Sequence, residues 1–210
     1  LFDVLRQRIE LEAGAEVTLE ANPEDVSVDS VQRWREAGVN RLSIGAQSFD
    51  DDVLKWMHRT HDATAISRAV HEARSGGVEE LSLDLIFAIP EGMSRWWERD
   101  VERALELRPP HLSLYGLTIE PHTPVGRWHA RGDLREAPEE RYEREFIGAH
   151  DALVAAGMEH YEVSSFARPG HRAVHNSAYW TGVPYAGLGP SAHELQLNGD
   201  RGMTRRWNAR

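Results

Sequence analysis

A partial parallel (β/α) barrel, incomplete at its N-terminus and followed by an appended α+β region, is the α/β fold class this sequence predicts. Three observations lead there. Short apolar runs alternate with longer segments of helical period, the pattern of a parallel α/β protein. Four such runs occur before the pattern changes near residue 120, and four parallel strands do not close an eight-stranded barrel. The 210 residues, 40% of them apolar, suffice for one large domain or two small ones.

Strands are expected over residues 17–21, 41–45, 81–86 and 111–117, each bounded by turn residues. A helix over 30–37 follows Asp29 as cap and stops at Gly38, and a second runs over 50–57. A third, over 63–74, ends at Gly76-Gly77; a fourth, over 94–107, starts at a Ser94 cap and stops before Pro109-Pro110. Residues 120–131, rich in Pro, His and Gly, read as a long loop. A helix over 138–156 has Pro138 in its first turn and Gly157 at its end, and short strands are expected at 160–164 and near 185–188. Residues 1–120 are thus read as the partial barrel, and 121–210 as a linker, a helix and the α+β region.

A formal net charge of −10, with basic residues scattered among acidic ones, repels phosphate backbones and argues against a nucleic-acid partner. No apolar run approaches the length of a membrane span, and the expected compartment is the cytoplasm. With no cysteine, the chain by itself forms no disulfide, zinc ribbon or iron–sulfur site. It begins at Leu1 rather than Met and ends at Trp207-Asn208-Ala209-Arg210 without a recognisable stop signal; a preceding segment is expected, and a following one is allowed for.

Ligands of parallel α/β sheets bind where strands end and loops converge. Glu20 closes the first strand, Gln47 follows the second, and Asp84 sits inside the apolar run of the third. A carboxylate in such a strand is costly unless it finds a donor or a cation. Taken alone, one such residue reads first as a structural ion pair or a capping carboxylate. Three on successive strands point to a ligand. Arg59 adds a planar fork suited to a carboxylate, although a lone arginine is usually a surface ion-pair partner.

The ordered series Leu19-Glu20-Ala21-Asn22-Pro23, Arg41 through Phe49 (RLSIGAQSF) and Leu83-Asp84-Leu85-Ile86 resembles the oxygen-independent coproporphyrinogen oxidase family of radical S-adenosylmethionine proteins. The resemblance runs from about Val17 onward. It implies a radical S-adenosylmethionine type of partial barrel in which Glu20, Gln47, Arg59 and Asp84 hold S-adenosylmethionine. Arginine suits the methionine carboxylate, and the others suit ribose hydroxyls or an amino group. Ala88-Ile89-Pro90 and Ala46 depart from the usual Gly-Leu-Pro and Val without removing a ligand. The family's Cys-x-x-x-Cys-x-x-Cys loop, which holds a [4Fe–4S] cluster, has no counterpart in this chain, so the resemblance implies that it lies upstream.

Tyr161 through Ala167 (YEVSSFA), His175-Asn176-Ser177-Ala178-Tyr179-Trp180 and Gly187 through His193 (GLGPSAH) resemble the heme-chaperone branch of that family. The branch implies heme binding and delivery to an acceptor protein, with His175 as a candidate axial ligand covered by neighbouring aromatic rings. The bland alternative for His175 is a hydrogen-bonded turn histidine. No metal ligand set is expected within the chain. Whether the whole protein is an enzyme stays open: oxidative decarboxylation of coproporphyrinogen III is the alternative function. A barrel enzyme with neither cluster nor heme is the third.

Overall fold

The computed structural model describes residues 2–93, 95–199 and 202–209. After a short helix α1 (Phe2–Arg6), the chain alternates β1 (Thr18–Ala21), α2 (Val28–Glu36), β2 (Arg41–Gln47), α3 (Asp51–Trp56), α4 (Ala63–Ser75), β3 (Glu80–Phe87), α5 (Trp97–Glu106) and β4 (His111–Gly116). Helices α6 (Pro124–Ala130) and α7 (Glu139–Ala155) then lead to β5 (Glu159–His160) and β6 (Ser165–Ala167). The sheet order is β1-β2-β3-β4-β6-β5, parallel through β4 and antiparallel beyond it. Consecutive parallel neighbours joined through helices are the construction of a β/α barrel wall.

The pleat sorts the two faces of this sheet. Leu42, Ile44, Leu81, Leu83, Leu85, Leu112 and Leu114 alternate onto one face, where they are buried against Ile66, Ala69, Val70 and Ala73 of α4 and Val101 and Ala104 of α5. Glu20, Ser43, Ser82, Asp84, His111, Ser113 and Tyr115 alternate onto the other. Hydrophobic burial drives the first face together, at about 1.5–3 kcal/mol per large side chain. The second face is polar across four strands, and it carries the candidate site.

Helix starts follow local chemistry. The cap of α2 is Ser27, two residues before the expected Asp29, because Ser27 and Ser30 exchange side-chain-to-backbone bonds in a reciprocal box. Asp50 and Asp62 cap α3 and α4. The expected cap Ser94 lies outside the described residues, and α5 begins at Trp97. The expected loop over 120–131 contains α6: Thr123 accepts from Gly126 N and Pro124 occupies the first turn, so the proline that reads as a breaker is a starter. The expected strand over 160–164 divides into β5 and β6, paired antiparallel.

Contacts divide the chain into two compact units, residues 1–172 and 173–210, the first of which includes β5 and β6 because they extend the main sheet. The second unit holds α8 (Val174–Thr181) and an antiparallel pair, β7 (His193–Leu197) and β8 (Met203–Trp207). Near residues 185–188, where a strand is expected, a single bridge joins Tyr185 to Leu195. Among the described residues no helix is long and apolar enough to cross a membrane.

Candidate cofactor-binding cleft

A cavity of about 310 Å³ opens at the C-terminal ends of β1–β3 and is lined by Glu20, Asn22, Ser43, Gly45, Gln47, Arg59 and Asp84, among others. All four residues singled out in the sequence on strand ends and loops, Glu20, Gln47, Arg59 and Asp84, meet there. Parallel register accounts for the carboxylates: Glu20 pairs laterally with Ser43 and Ser43 with Ser82, so Asp84 stands two residues farther along the same face. Gln47 arrives by an irregularity. Ile44 pairs with Leu83 but Gln47 with Leu85, one extra residue on β2, and Gln47 has a φ of 66°. A left-handed conformation at a non-glycine residue is sustained only where its surroundings hold it. Gly45 is the accommodating neighbour, since a Cβ there would lie 2.8 Å from Gln47 Nε2. Arg59 follows α3 and donates through Nη1 to Asn22 Oδ1 at 3.1 Å.

Asn22, Asp25 and Ser43 complete the lining and escaped the sequence reading. Ser43 had a visible signal: it is a polar residue inside β2, in register with Glu20. Its Oγ donates to Asp84 Oδ2 at 2.8 Å. Burial pushes the Asp84 carboxyl upward, bonds from Ser43 and Ser113 oppose that rise, and the nearby Glu20 adds to it. The cleft therefore combines concentrated negative charge with one guanidinium and two amides, those of Asn22 and Gln47. That donor set fits a zwitterionic, cationic amino-acid ligand with ribose hydroxyls, as S-adenosylmethionine is. It does not fit a [4Fe–4S] cluster, which needs thiolates the chain lacks.

Deeper on the same face His111 is buried, and burial, aided by the Arg41 charge, pushes its pKa down to about 3. Unfolded chains bind that proton near the ordinary value of 6.5, so the stability contributed by neutral His111 is complete above that pH and is lost as pH falls towards 3. The thermal unfolding midpoint should therefore fall on acidification through this window, with a shallower dependence in His111→Gln. Asp84 and Asp100, both pushed upward by burial, act with the opposite sign and are common to both proteins. Identical slopes in the two proteins would exclude His111 as the acid-sensitive group.

In the second unit, His175 is exposed and lies in the first turn of α8, not in the turn that its bland alternative supposed, because residues 174–181 close a continuous helix ended by Gly182 in the left-handed conformation. Its Nε2 lies 3.1 Å from Tyr179 Oη, one helical turn on, and the Tyr179 ring stands edge-on to Tyr185 at 4.5 Å between centroids. An exposed imidazole flanked by two phenol rings has the chemistry of an axial ligand with faces for a porphyrin.

Residues 2–104 match the sequence profile of the Radical SAM superfamily. The chain is 40% identical to "Heme chaperone HemW" of Escherichia coli strain K12 over 92% of its own length and 50% of that protein. It is 36% identical to the protein of the same name from Lactococcus lactis, over 91% and 51%. It thus spans about half the length of the curated relatives it matches. Among solved structures, coproporphyrinogen III oxidase (HemN) from Escherichia coli, described as a radical SAM enzyme, superposes with a TM-score of 0.75 at 24% identity, over 92% of this chain and 47% of that one. That likeness establishes a shared fold. These similarities make the chain HemW-like over most of its length, with a radical SAM segment over residues 2–104 that contains the four-strand parallel wall's first three strands.

Proposed function

We propose that the chain is part of a heme chaperone: Glu20, Gln47, Arg59 and Asp84 hold S-adenosylmethionine, His175 ligates heme, and the heme passes to an acceptor protein. Residues 1–120 supply the barrel segment of that protein and 121–210 its linker, helix and α+β region. The observation that carries the reading is the match to heme chaperones over nearly the whole chain, which takes in both the cleft and the His-Asn-x-x-Tyr-Trp helix. Arg59 grips the methionine carboxylate, the acidic residues take amino and hydroxyl groups, and Gln47 supplies an amide. The cluster, held by thiolates from outside this chain, supplies redox chemistry when bound. A reducing compartment preserves such thiolates, and cytoplasmic residence is part of the proposal.

Heme titration of the full-length protein, followed by absorbance, tests this reading. The expected result is heme binding without turnover of coproporphyrinogen III. His175→Ala should alter the heme spectrum and weaken heme retention about tenfold, with S-adenosylmethionine binding unaffected. An unchanged spectrum removes His175 as ligand. Decarboxylation of coproporphyrinogen III, or no heme uptake by the unaltered protein, overturns the chaperone reading in favour of the oxidase.

A further inference from the structure

The polar face of the sheet continues beyond the cleft as a connected row. Register aligns Glu20, Ser43, Ser82 and His111 across β1 to β4, with Asp84 beside Ser113 two residues farther along. His111 Nε2 lies 2.8 Å from Tyr161 Oη, and His111 Nδ1 lies 2.8 Å from Ser82 Oγ. Ser82 Oγ reaches Asp84 Oδ1 at 3.4 Å and Ser113 Oγ at 3.4 Å. Ser113 stands beside Asp84 in register, and its hydroxyl opposes the rise that burial imposes on that carboxyl.

Donor inventory gives this row a direction. An ionised carboxylate only accepts, and a serine hydroxyl has one hydrogen to give. With the Ser82 hydrogen directed to Asp84, either directly or through Ser113, Ser82 must accept from His111. Nδ1 of His111 then carries the proton. A neutral imidazole with Nδ1–H has Nε2 as an acceptor, which takes the Tyr161 hydroxyl hydrogen. Burial keeps the ring neutral, as this requires. Every hydrogen in the row then points toward the carboxylate that faces the cleft. Filling this space alone would favour apolar side chains, since unpaired polar groups here are costly.

We propose that His111 is a positioning residue for the cleft: with Tyr161 behind it, its Nδ1–H tautomer fixes the Ser82 hydroxyl as a donor to Asp84 and so orients that carboxylate for S-adenosylmethionine. This rests on the assignment of Asp84 to that ligand. The row joins strands β3 and β4 to the segment between β5 and β6, so ligand affinity depends on residues that never touch the ligand.

Calorimetric titration of the full-length, cluster-containing protein with S-adenosylmethionine tests the proposal. His111→Phe, which keeps the ring and removes both nitrogens, should weaken binding about tenfold. His111→Asn, which retains a donor near Nδ1, should stay within about twofold of the unaltered protein. Ser82→Ala should match His111→Phe, and the double variant should lose no more than either, because both interrupt one chain of bonds. Nitrogen-15 NMR of histidine in the unaltered protein should show His111 protonated at Nδ1, a readout independent of whether any variant folds. Protonation at Nε2, additive losses, or full affinity in His111→Phe alongside weakened binding in Asp84→Ala would each overturn the positioning role. Full affinity in Asp84→Ala overturns the ligand assignment instead.

Discussion

Asp100→Ala should cost the protein about 3–5 kcal/mol, because it leaves a buried guanidinium without its counter-charge. The Arg95 side chain is 0% exposed and that of Asp100 4%, with Arg95 Nη1 3.1 Å from Asp100 Oδ2. Ser48 Oγ donates to the same carboxylate at 2.7 Å, Phe49 N donates at 3.0 Å, and Arg95 Nη2 donates to the Ile86 carbonyl at 2.6 Å. Burial pushes the Asp100 carboxyl upward, and the Arg95 charge and the Ser48 bond oppose it, so the pair is held by geometry against desolvation. Urea unfolding should show the midpoint falling with the slope unchanged, and Asp100→Asn should lie between the two because it keeps an acceptor. A loss below about 1 kcal/mol would mean that Arg95 finds water or another partner on its own. The network has a functional consequence. Ser48 and Phe49 directly follow Gln47, so the same carboxylate anchors the strand end whose left-handed residue lines the cleft.

That network was illegible in the sequence, since Ser48, Arg95 and Asp100 carry no shared spacing and are joined only where the segment after β2 meets the start of α5. Strands β1 to β4 were legible because each is a short apolar run ended by turn residues, and their alternation assigns Glu20 and Asp84 to the face away from the helices. Gln47 and Arg59 stood out by position and residue type, and the resemblance gave them a shared ligand; the sequence shows neither the bulge at Gln47 nor the reach of Arg59 to Asn22. The second unit resisted for a different reason. Its strands, His-Glu-Leu-Gln-Leu and Met-Thr-Arg-Arg-Trp, bury little, and without a core face there is weak periodicity to read. Helix α6 was hidden by Pro124 and Gly126, which read as breakers until the Thr123 cap is taken with them.

Asp84→Ala in the full-length protein should weaken S-adenosylmethionine binding by about a hundredfold while leaving the cluster absorbance intact. The carboxylate sits where three strands supply serine hydroxyls, Ser43, Ser82 and Ser113, so its position is fixed before a ligand arrives. Its removal takes away an anionic acceptor for a cationic ligand in a partly desolvated cleft, where such bonds are strongest. Glu20 does not substitute for it, because Glu20 belongs to β1 and faces the cavity from the other side of Ser43. Arg59→Ala should produce a comparable loss through the opposite end of the ligand. Arg59→Lys should recover only part of it, since an ammonium keeps the charge but not the planar fork that matches a carboxylate. Because the two side chains would engage different ends of the ligand, the double variant should show losses close to additive, unlike the His111 and Ser82 pair. Retained affinity in both single variants would return Asp84 to a sheet-stabilising role among its serines and Arg59 to its bond with Asn22.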